Sequence, residues 1–295
     1  MRPGDRIGVF APAGPFADEQ LRRGVSFWQK RGYRVHGLEN LQEPTAYLAA
    51  PDAQRAGTFN RLLADREIRA LVAARGGYGT LRILDELDLE PLAAEPRIII
   101  GFSDLTILHL ELWRRFHLVS FSGPMIAGSQ IDRLTADEQE HFWQTLESDV
   151  PPPPVAGEAT RVVLAGEAEG PLLGGNLTIL AHAALAGRLP SLAGAVLLLE
   201  DVNEPPYRID RYLTALRLGG HLSGILGVAG GDFGPAVDPT LLDTILLDRL
   251  GDLGVPIIAG LPIGHGEKNR LVPIGARVRL NTSPPEVHFL EGGVC

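Results

Sequence analysis

The chain has 295 residues, 45% hydrophobic and 21% charged, the proportions of an ordinary folded protein long enough for two domains or one large one. Its formal net charge of -9 gives no electrostatic support to a nucleic-acid role, and no stretch reaches membrane-spanning length without a charge or a break. The only cysteine is Cys295, so no disulfide can form within the chain. With no signal-peptide core after Met1, the expected location is cytoplasmic.

The first half alternates strand and helix signals. Arg6–Ala11 reads as a buried strand, and Asp18–Lys30 as a helix with Leu21, Val25 and Trp28 on one face. Tyr33–Leu38 reads as a strand and Asp52–Ala64 as a helix. Ile68–Ala74 is again a strand, Thr80–Leu87 a helix and Arg97–Gly101 a strand. Leu105–Phe116 is a helix, and Leu118–Phe121 a short strand. This order predicts a flavodoxin- or Rossmann-like α/β domain, a mostly parallel sheet with helices on both faces. Ligands on such sheets bind at the C-terminal ends of the strands.

The run Pro151-Pro152-Pro153-Pro154 is stiff and non-helical. It places a boundary between an N-terminal domain, 1–150, and a C-terminal one, 161–295, with 151–160 as linker. In the second half, Arg161–Leu164 is a strand and Leu177–Ala186 a helix. The apolar strand Ala195–Leu199 runs directly into Glu200. Tyr207–Arg217 reads as helix, Ile225–Ala229 as strand and Pro239–Leu250 as helix. Val255–Ala259, Arg277–Leu280 and Val287–Leu290 complete a smaller mixed β/α domain. No internal repeat is present.

Three residues stand at strand ends with catalytic chemistry. Ser103 lies in Ile98-Ile99-Ile100-Gly101-Phe102-Ser103-Asp104, where a β-branched run ends at a glycine and a helix opens. Such a turn exposes a hydroxyl at a helix N-terminus, as nucleophilic serines require. Alone, a serine here is more often a helix cap, and Leu105 replaces the second glycine of the usual Gly-x-Ser-x-Gly elbow. Glu200, at the mouth of a buried strand, is costly to bury without a purpose. Asp201 and Glu204 fit helix capping or pairing with Arg208 and Arg211. His265, in Gly264-His265-Gly266 after a strand, is the best placed of eight histidines for proton transfer. His109, His141 and His182 fall in predicted helices, where packing is the usual role.

The loop Arg75-Gly76-Gly77-Tyr78-Gly79 follows a strand and can aim backbone N–H groups into a pocket. Its spacing is neither Gly-x-Gly-x-x-Gly nor a P-loop, so it fits an oxyanion donor or a plain glycine turn. The sequence has no His-Glu-x-x-His, no paired cysteines and no tight His/Asp cluster. No metal and no cofactor are expected.

Together with Gly123-Pro124-Met125, Gly170-Pro171-Leu172-Leu173-Gly174-Gly175-Asn176 and Glu204-Pro205-Pro206-Tyr207-Arg208, these segments span nearly the whole chain in order. They resemble the LD-carboxypeptidase family of serine peptidases, which includes muramoyl-tetrapeptide carboxypeptidases and microcin C self-immunity peptidases. The resemblance implies Ser103 as nucleophile, His265 as general base and Glu200 as the acid that orients it. The site then lies in the cleft between the domains. The N–H groups of Asp104 and Gly77 are expected to hold the oxyanion, with Arg75, Gly76 and Tyr78 binding substrate. Arg75 is the first candidate for a terminal carboxylate, ahead of Lys268 and Arg270. The segment Leu216–Phe233 is expected to shape the pocket.

The implied reaction is metal-free removal of a C-terminal D-amino acid from a murein tetrapeptide in a homodimeric enzyme of cell-wall recycling, with neither nucleic acid nor membrane as partner. Two other readings remain: a peptidase of this family acting on a peptidyl-nucleotide antibiotic, and a non-catalytic small-molecule binder using 76–79 as an anion nest.

Overall fold

The computed structural model describes residues 1–39 and 41–294; Cys295 lies outside them. The N-terminal half carries strands β1 (Arg6–Phe10), β2 (Arg34–His36), β3 (Ile68–Ala73), β4 (Ile98–Ile100) and β5 (Ser120–Ser122). Between and after them run helices α1 (Asp18–Lys30), α2 (Asp52–Ala64), α3 (Thr80–Ile83), α4 (Pro91–Ala94), α5 (Thr106–Phe116) and α6 (Ala136–Glu147). The C-terminal half carries β6 (Arg161–Leu164), β7 (Glu167–Asn176), β8 (Val196–Glu200), β9 (Gly227–Gly230), β10 (Ile257–Ala259), β11 (Val272–Ile274), β12 (Arg277–Thr282) and β13 (Pro285–Phe289). Its helices are α7 (Leu177–Leu185), α8 (Pro206–Leu218) and α9 (Pro239–Leu250).

The first sheet has the order β11-β5-β4-β3-β1-β2. Its five N-terminal strands are parallel, while β11 returns from the second half and pairs antiparallel with β5. The second sheet has the order β13-β12-β7-β8-β9-β10-β6. Strands β7 to β10 form a parallel centre flanked by antiparallel β6 and β12, with β13 antiparallel outside β12. The parallel centre explains the uninterrupted apolar run of β8, since helices cover both faces of such strands.

Sequence patterns and structure differ where glycine and proline dominate. The ten-residue β7 holds Gly170, Pro171, Gly174 and Gly175, which read locally as loop signals. It lies in mid-sheet between β12 and β8, where its neighbours' hydrogen bonds override local propensity. Strand β11 is only Val-Pro-Ile; its proline is tolerated because β11 is an edge strand. The helix expected over Thr80–Leu87 is α3 followed by a 3-10 turn, Leu84–Glu86. Helix α6 opens with a reciprocal capping box between Thr135 and Glu138.

Helix α5 is the shared element of the two halves. Every residue from Thr106 to Leu112 is buried, and the helix touches α3 and β5 on one side and β7 and α7 on the other. One apolar core therefore runs from Phe59, Leu71 and Ile83 through Leu105 and Leu108 to Leu172, Leu180 and Leu198. At the top of this seam the Asn176 N–H donates to the Thr106 hydroxyl at 3.0 Å, a buried hydrogen bond.

Replacing Thr106 by valine keeps the shape but leaves the Asn176 N–H buried and unpaired. Thr106→Val is expected to lower unfolding free energy by about 1–3 kcal/mol in urea titration, with Thr106→Ser close to wild type.

Candidate active site

The strand β4 ends at Ile100, and the chain turns through Gly101 and Phe102 into a 3-10 turn, Ser103–Leu105, that continues as α5. Ser103 takes φ +64°, a left-handed conformation that costs a non-glycine residue about 1–3 kcal/mol and persists where the surroundings enforce it. His109, one turn into α5, supplies part of that enforcement. The Gly101 carbonyl can only accept, so His109 Nε2–H donates to it at 2.8 Å, and Nδ1 accepts from the Ser120 hydroxyl at 2.8 Å. Burial pulls this imidazole down to about 4, so it is a neutral structural brace.

Glu200 closes β8, and His265 sits on the loop that follows β10. The structure brings both to Ser103. His265 Nε2 lies 2.9 Å from Ser103 Oγ, and Nδ1 lies 2.7 Å from Glu200 Oε2. A carboxylate only accepts, so Nδ1 carries the proton and Nε2 is free to accept from the serine hydroxyl. The Phe102 ring packs against the imidazole with centroids 4.8 Å apart.

The surroundings of Glu200 and Asp201 differ sharply. Asp201 accepts from Asn176 Nδ2, from the N–H and hydroxyl of Thr178, and from Val202 N–H, so it braces the start of α7. Glu204 pairs with Arg208. Glu200 faces His265 from full burial, and burial pushes its carboxyl above the usual range against the pull of His265. Burial also pulls His265 down, but the hydrogen bond and charge of Glu200, with the charges of Asp201 and Asp232, outweigh it. The imidazole ends above its ordinary value. The close approach depends on Gly264: its φ is +114°, and a Cβ there would stand 2.6 Å from Glu200 Oε2.

The glycine loop lies directly over the serine. A Cβ on Gly76 would be 3.0 Å from Ser103 Cβ and 3.2 Å from its Oγ. Buried Asp104 joins the loop to the serine turn, since its Oδ2 accepts from Thr80 N–H at 2.8 Å, and burial raises its carboxyl. Gly77 is exposed beside Gly14. Tyr78 is half exposed and stands edge-on to Tyr47.

The expected cationic residues separate. Arg75 is exposed, donates to the Pro15 carbonyl and lines a cavity of about 470 Å³ beside Gln20 and Ser129. Arg270 is paired with Asp137. Lys268 lines the cleft of about 850 Å³ that contains His265. Arg133, which the sequence patterns did not single out, lines it too, with Gln130, Asp232 and Ser129. Among the described residues neither Lys268 nor Arg133 has an ion-pair partner, so both cations are available to a ligand. Of the segment Leu216–Phe233, only Asp232 reaches this cleft; its other wall comes from 129–138.

Gln130 and Asn269 were also invisible to sequence patterns. Gln130 Nε2 donates to the carbonyls of Gly264 and Gly266, and its Oε1 accepts from Asn269 Nδ2. Asn269 Oδ1 accepts from Gly264 N–H. Among the described residues no group of three His, Cys, Asp or Glu side chains is assembled to hold a metal, and no helix is long and apolar enough to cross a membrane.

Comparison with known proteins places this geometry. Residues 7–123 match the LD-carboxypeptidase N-terminal domain, and residues 169–280 match the C-terminal domain. A putative carboxypeptidase of Streptomyces coelicolor is 37% identical over 100% of this chain and 96% of its own length. A murein tetrapeptide carboxypeptidase of Pseudomonas aeruginosa is 32% identical over 92% of this chain and 91% of its own. The crystal structure of a muramoyltetrapeptide carboxypeptidase from Oxalobacter formigenes superposes with a TM-score of 0.82 at 30% identity, covering 96% of this chain and 97% of that one.

Since Glu200 is the largest influence raising the His265 imidazole, Glu200→Gln leaves burial opposed only by the charges of Asp201 and Asp232. The His265 pKa, followed by NMR titration, is expected to fall below its wild-type position.

Proposed function

The chain belongs to the LD-carboxypeptidase family, and from that premise we propose that it is a serine carboxypeptidase, needing no metal, that removes the C-terminal D-amino acid from murein tetrapeptides. The observation that carries this reading is the chain of contacts Ser103 Oγ to His265 Nε2 to His265 Nδ1 to Glu200 Oε2. It is the geometry of an activated hydroxyl. The substrate class rests on the relatives named as murein peptide carboxypeptidases.

In the proposed reaction, His265 Nε2 takes the proton of Ser103 as Oγ attacks the scissile carbonyl. The imidazolium formed is stabilised by Glu200, which keeps Nδ1 protonated throughout. The N–H groups of Asp104 and Gly77, on the serine turn and on the glycine loop above it, receive the developing oxyanion. His265 then gives its proton to the leaving amine of the D-amino acid. Water enters, His265 deprotonates it, and hydrolysis of the ester returns Ser103. An exopeptidase must also bind a free carboxylate. Lys268 and Arg133 are the cations that share the cleft with His265, and we assign them this task ahead of Arg75. We assign the enzyme to cell-wall recycling on the same grounds as its substrate.

The test is release of D-alanine from L-Ala-γ-D-Glu-meso-diaminopimelate-D-Ala with a chelator present. Wild type is expected to turn over, and Ser103→Ala to lose about 10³-fold or more of kcat while keeping its fold. Near-wild-type turnover by Ser103→Ala would overturn the assignment. Cleavage of a peptidyl-nucleotide, with none of the tetrapeptide, would keep the chemistry and change the substrate.

The pH profile gives a second check. His265 must be neutral to act as a base, so kcat/KM is lost as pH falls through its pKa. With Glu200 raising that pKa, the acidic limb is expected above the ordinary histidine value, and Glu200→Gln should move it down while slowing the reaction.

A further inference from the structure

His265 stands on the least self-supporting part of the site. The ends of its loop are tied to the second half: Asp232 N–H donates to the Ile263 carbonyl, and Arg270 N–H to the Pro262 carbonyl. The tip, Gly264-His265-Gly266, belongs to no strand or helix. Glycines on both sides of the histidine leave the flanking backbone wide conformational choice. A ring on such a tip would sample many positions, yet it must meet Ser103 and Glu200 simultaneously at hydrogen-bond distance.

The side chain that removes this freedom comes from the other half of the chain. Gln130 belongs to the segment between β5 and α6, and its amide nitrogen has two hydrogens. One goes to the Gly264 carbonyl at 3.1 Å and the other to the Gly266 carbonyl at 2.7 Å. The two carbonyls belong to the residues on either side of His265, so a single planar amide fixes the peptide group that precedes the histidine and the one that follows Gly266. Its oxygen accepts from Asn269 at 3.0 Å, and Asn269, almost fully buried, accepts from Gly264 N–H at 3.0 Å. The result is a closed ring of hydrogen bonds joining 130, 264 and 269, with a further arm to 266.

We propose that Gln130, braced by Asn269, is a positioning residue that locks the His265 loop in register with Ser103 and Glu200. The proposal rests on the hydrolytic reading above for its kinetic consequences, though not for its structural ones. Gln130 comes from the nucleophile's half of the chain and holds the base's half. It therefore measures the distance between the two halves at the point where the reaction takes place. A misplacement of about 1 Å in such a contact can cost roughly 10²-fold in rate.

The test uses Gln130→Ala, Gln130→Glu and Asn269→Asp in the full chain. Gln130→Glu keeps size but replaces two donated hydrogen bonds with a carboxylate facing two carbonyl oxygens. Asn269→Asp keeps the acceptor for Gly264 N–H and loses only the donor to Gln130. With the tetrapeptide, kcat is expected to fall about 10- to 100-fold in both Gln130 variants, with KM within about threefold and thermal melting little changed. Asn269→Asp should be intermediate.

A second readout is independent of turnover. In Gln130→Ala, which adds no charge beside the ring, NMR titration of His265 should show its pKa move from the raised wild-type position toward that of an ordinary histidine, because a loosened loop separates it from Glu200. Three outcomes would overturn the proposal. The first is a kcat within twofold of wild type together with an unmoved His265 titration. The second is a rise in KM at constant kcat, which would make Gln130 a substrate-binding residue. The third is a loss of activity matched by loss of folded protein. If wild type itself does not cleave the tetrapeptide, the functional reading fails and the titration alone decides the clamp.

Discussion

The structure is organised around a 2.9 Å contact between two atoms that are 162 residues apart, the hydroxyl of Ser103 and the Nε2 of His265. Each comes from a different sheet, so both sheets must end their strands at the same point in space. That requirement explains why the halves are not two beads on a string. Helix α5 begins beside Ser103 and is buried by both halves. Strand β11 follows the histidine loop and inserts into the first sheet beside β5. The Thr106–Asn176 bond seals the seam beneath the site. Each of these would be dispensable in a protein that only had to keep two cores apart from water.

The same contact explains the handling of charge. Two acids sit side by side at the end of β8, both buried. Asp201 receives four hydrogen bonds and is spent on holding α7. Glu200 turns to the histidine and carries the burden of desolvation, which raises it. A buried carboxylate is tolerated when a partner compensates it, and here the partner is the His265 imidazole at 2.7 Å, whose positive form Glu200 favours. His109 shows the opposite treatment: buried without a carboxylate, it is held neutral and used as a strut for the serine turn.

Much of this was legible in the sequence because chemistry sits where periodicity ends. Ser103, Glu200 and His265 each follow an apolar run that could only be a buried strand, and parallel strands present their C-terminal ends to ligands. Helices α1, α2 and α9 have the bounds that their apolar stripes predict. What stayed hidden has a common cause. Gln130, Asn269 and Thr106 act through polar contacts with residues distant in sequence, and no local pattern marks an amide or hydroxyl for such a role. Strand β7 was hidden because Gly170, Gly174 and Gly175 permit close approach between neighbouring elements, and that need looks locally like a loop. The cleft wall at 129–138 was hidden for the same reason as Gln130: up to the first turn of α6 it is a connection, and its cleft-facing side exists only after the second half folds against it.

Strand β11 carries a consequence for how the molecule comes into being. It supplies the outermost strand of a sheet whose other members lie before residue 123. On the ribosome, the first sheet is thus left with an open edge at β5 until β11, far later in the chain, has been made. At about 5–20 residues per second, the interval between synthesis of the serine and of the histidine is on the order of 8–30 seconds. Throughout it Ser103 lacks the histidine that contacts its hydroxyl in the folded chain. The partner of Ser103 and the strand that completes the first sheet are thus made close together, His265 shortly before β11.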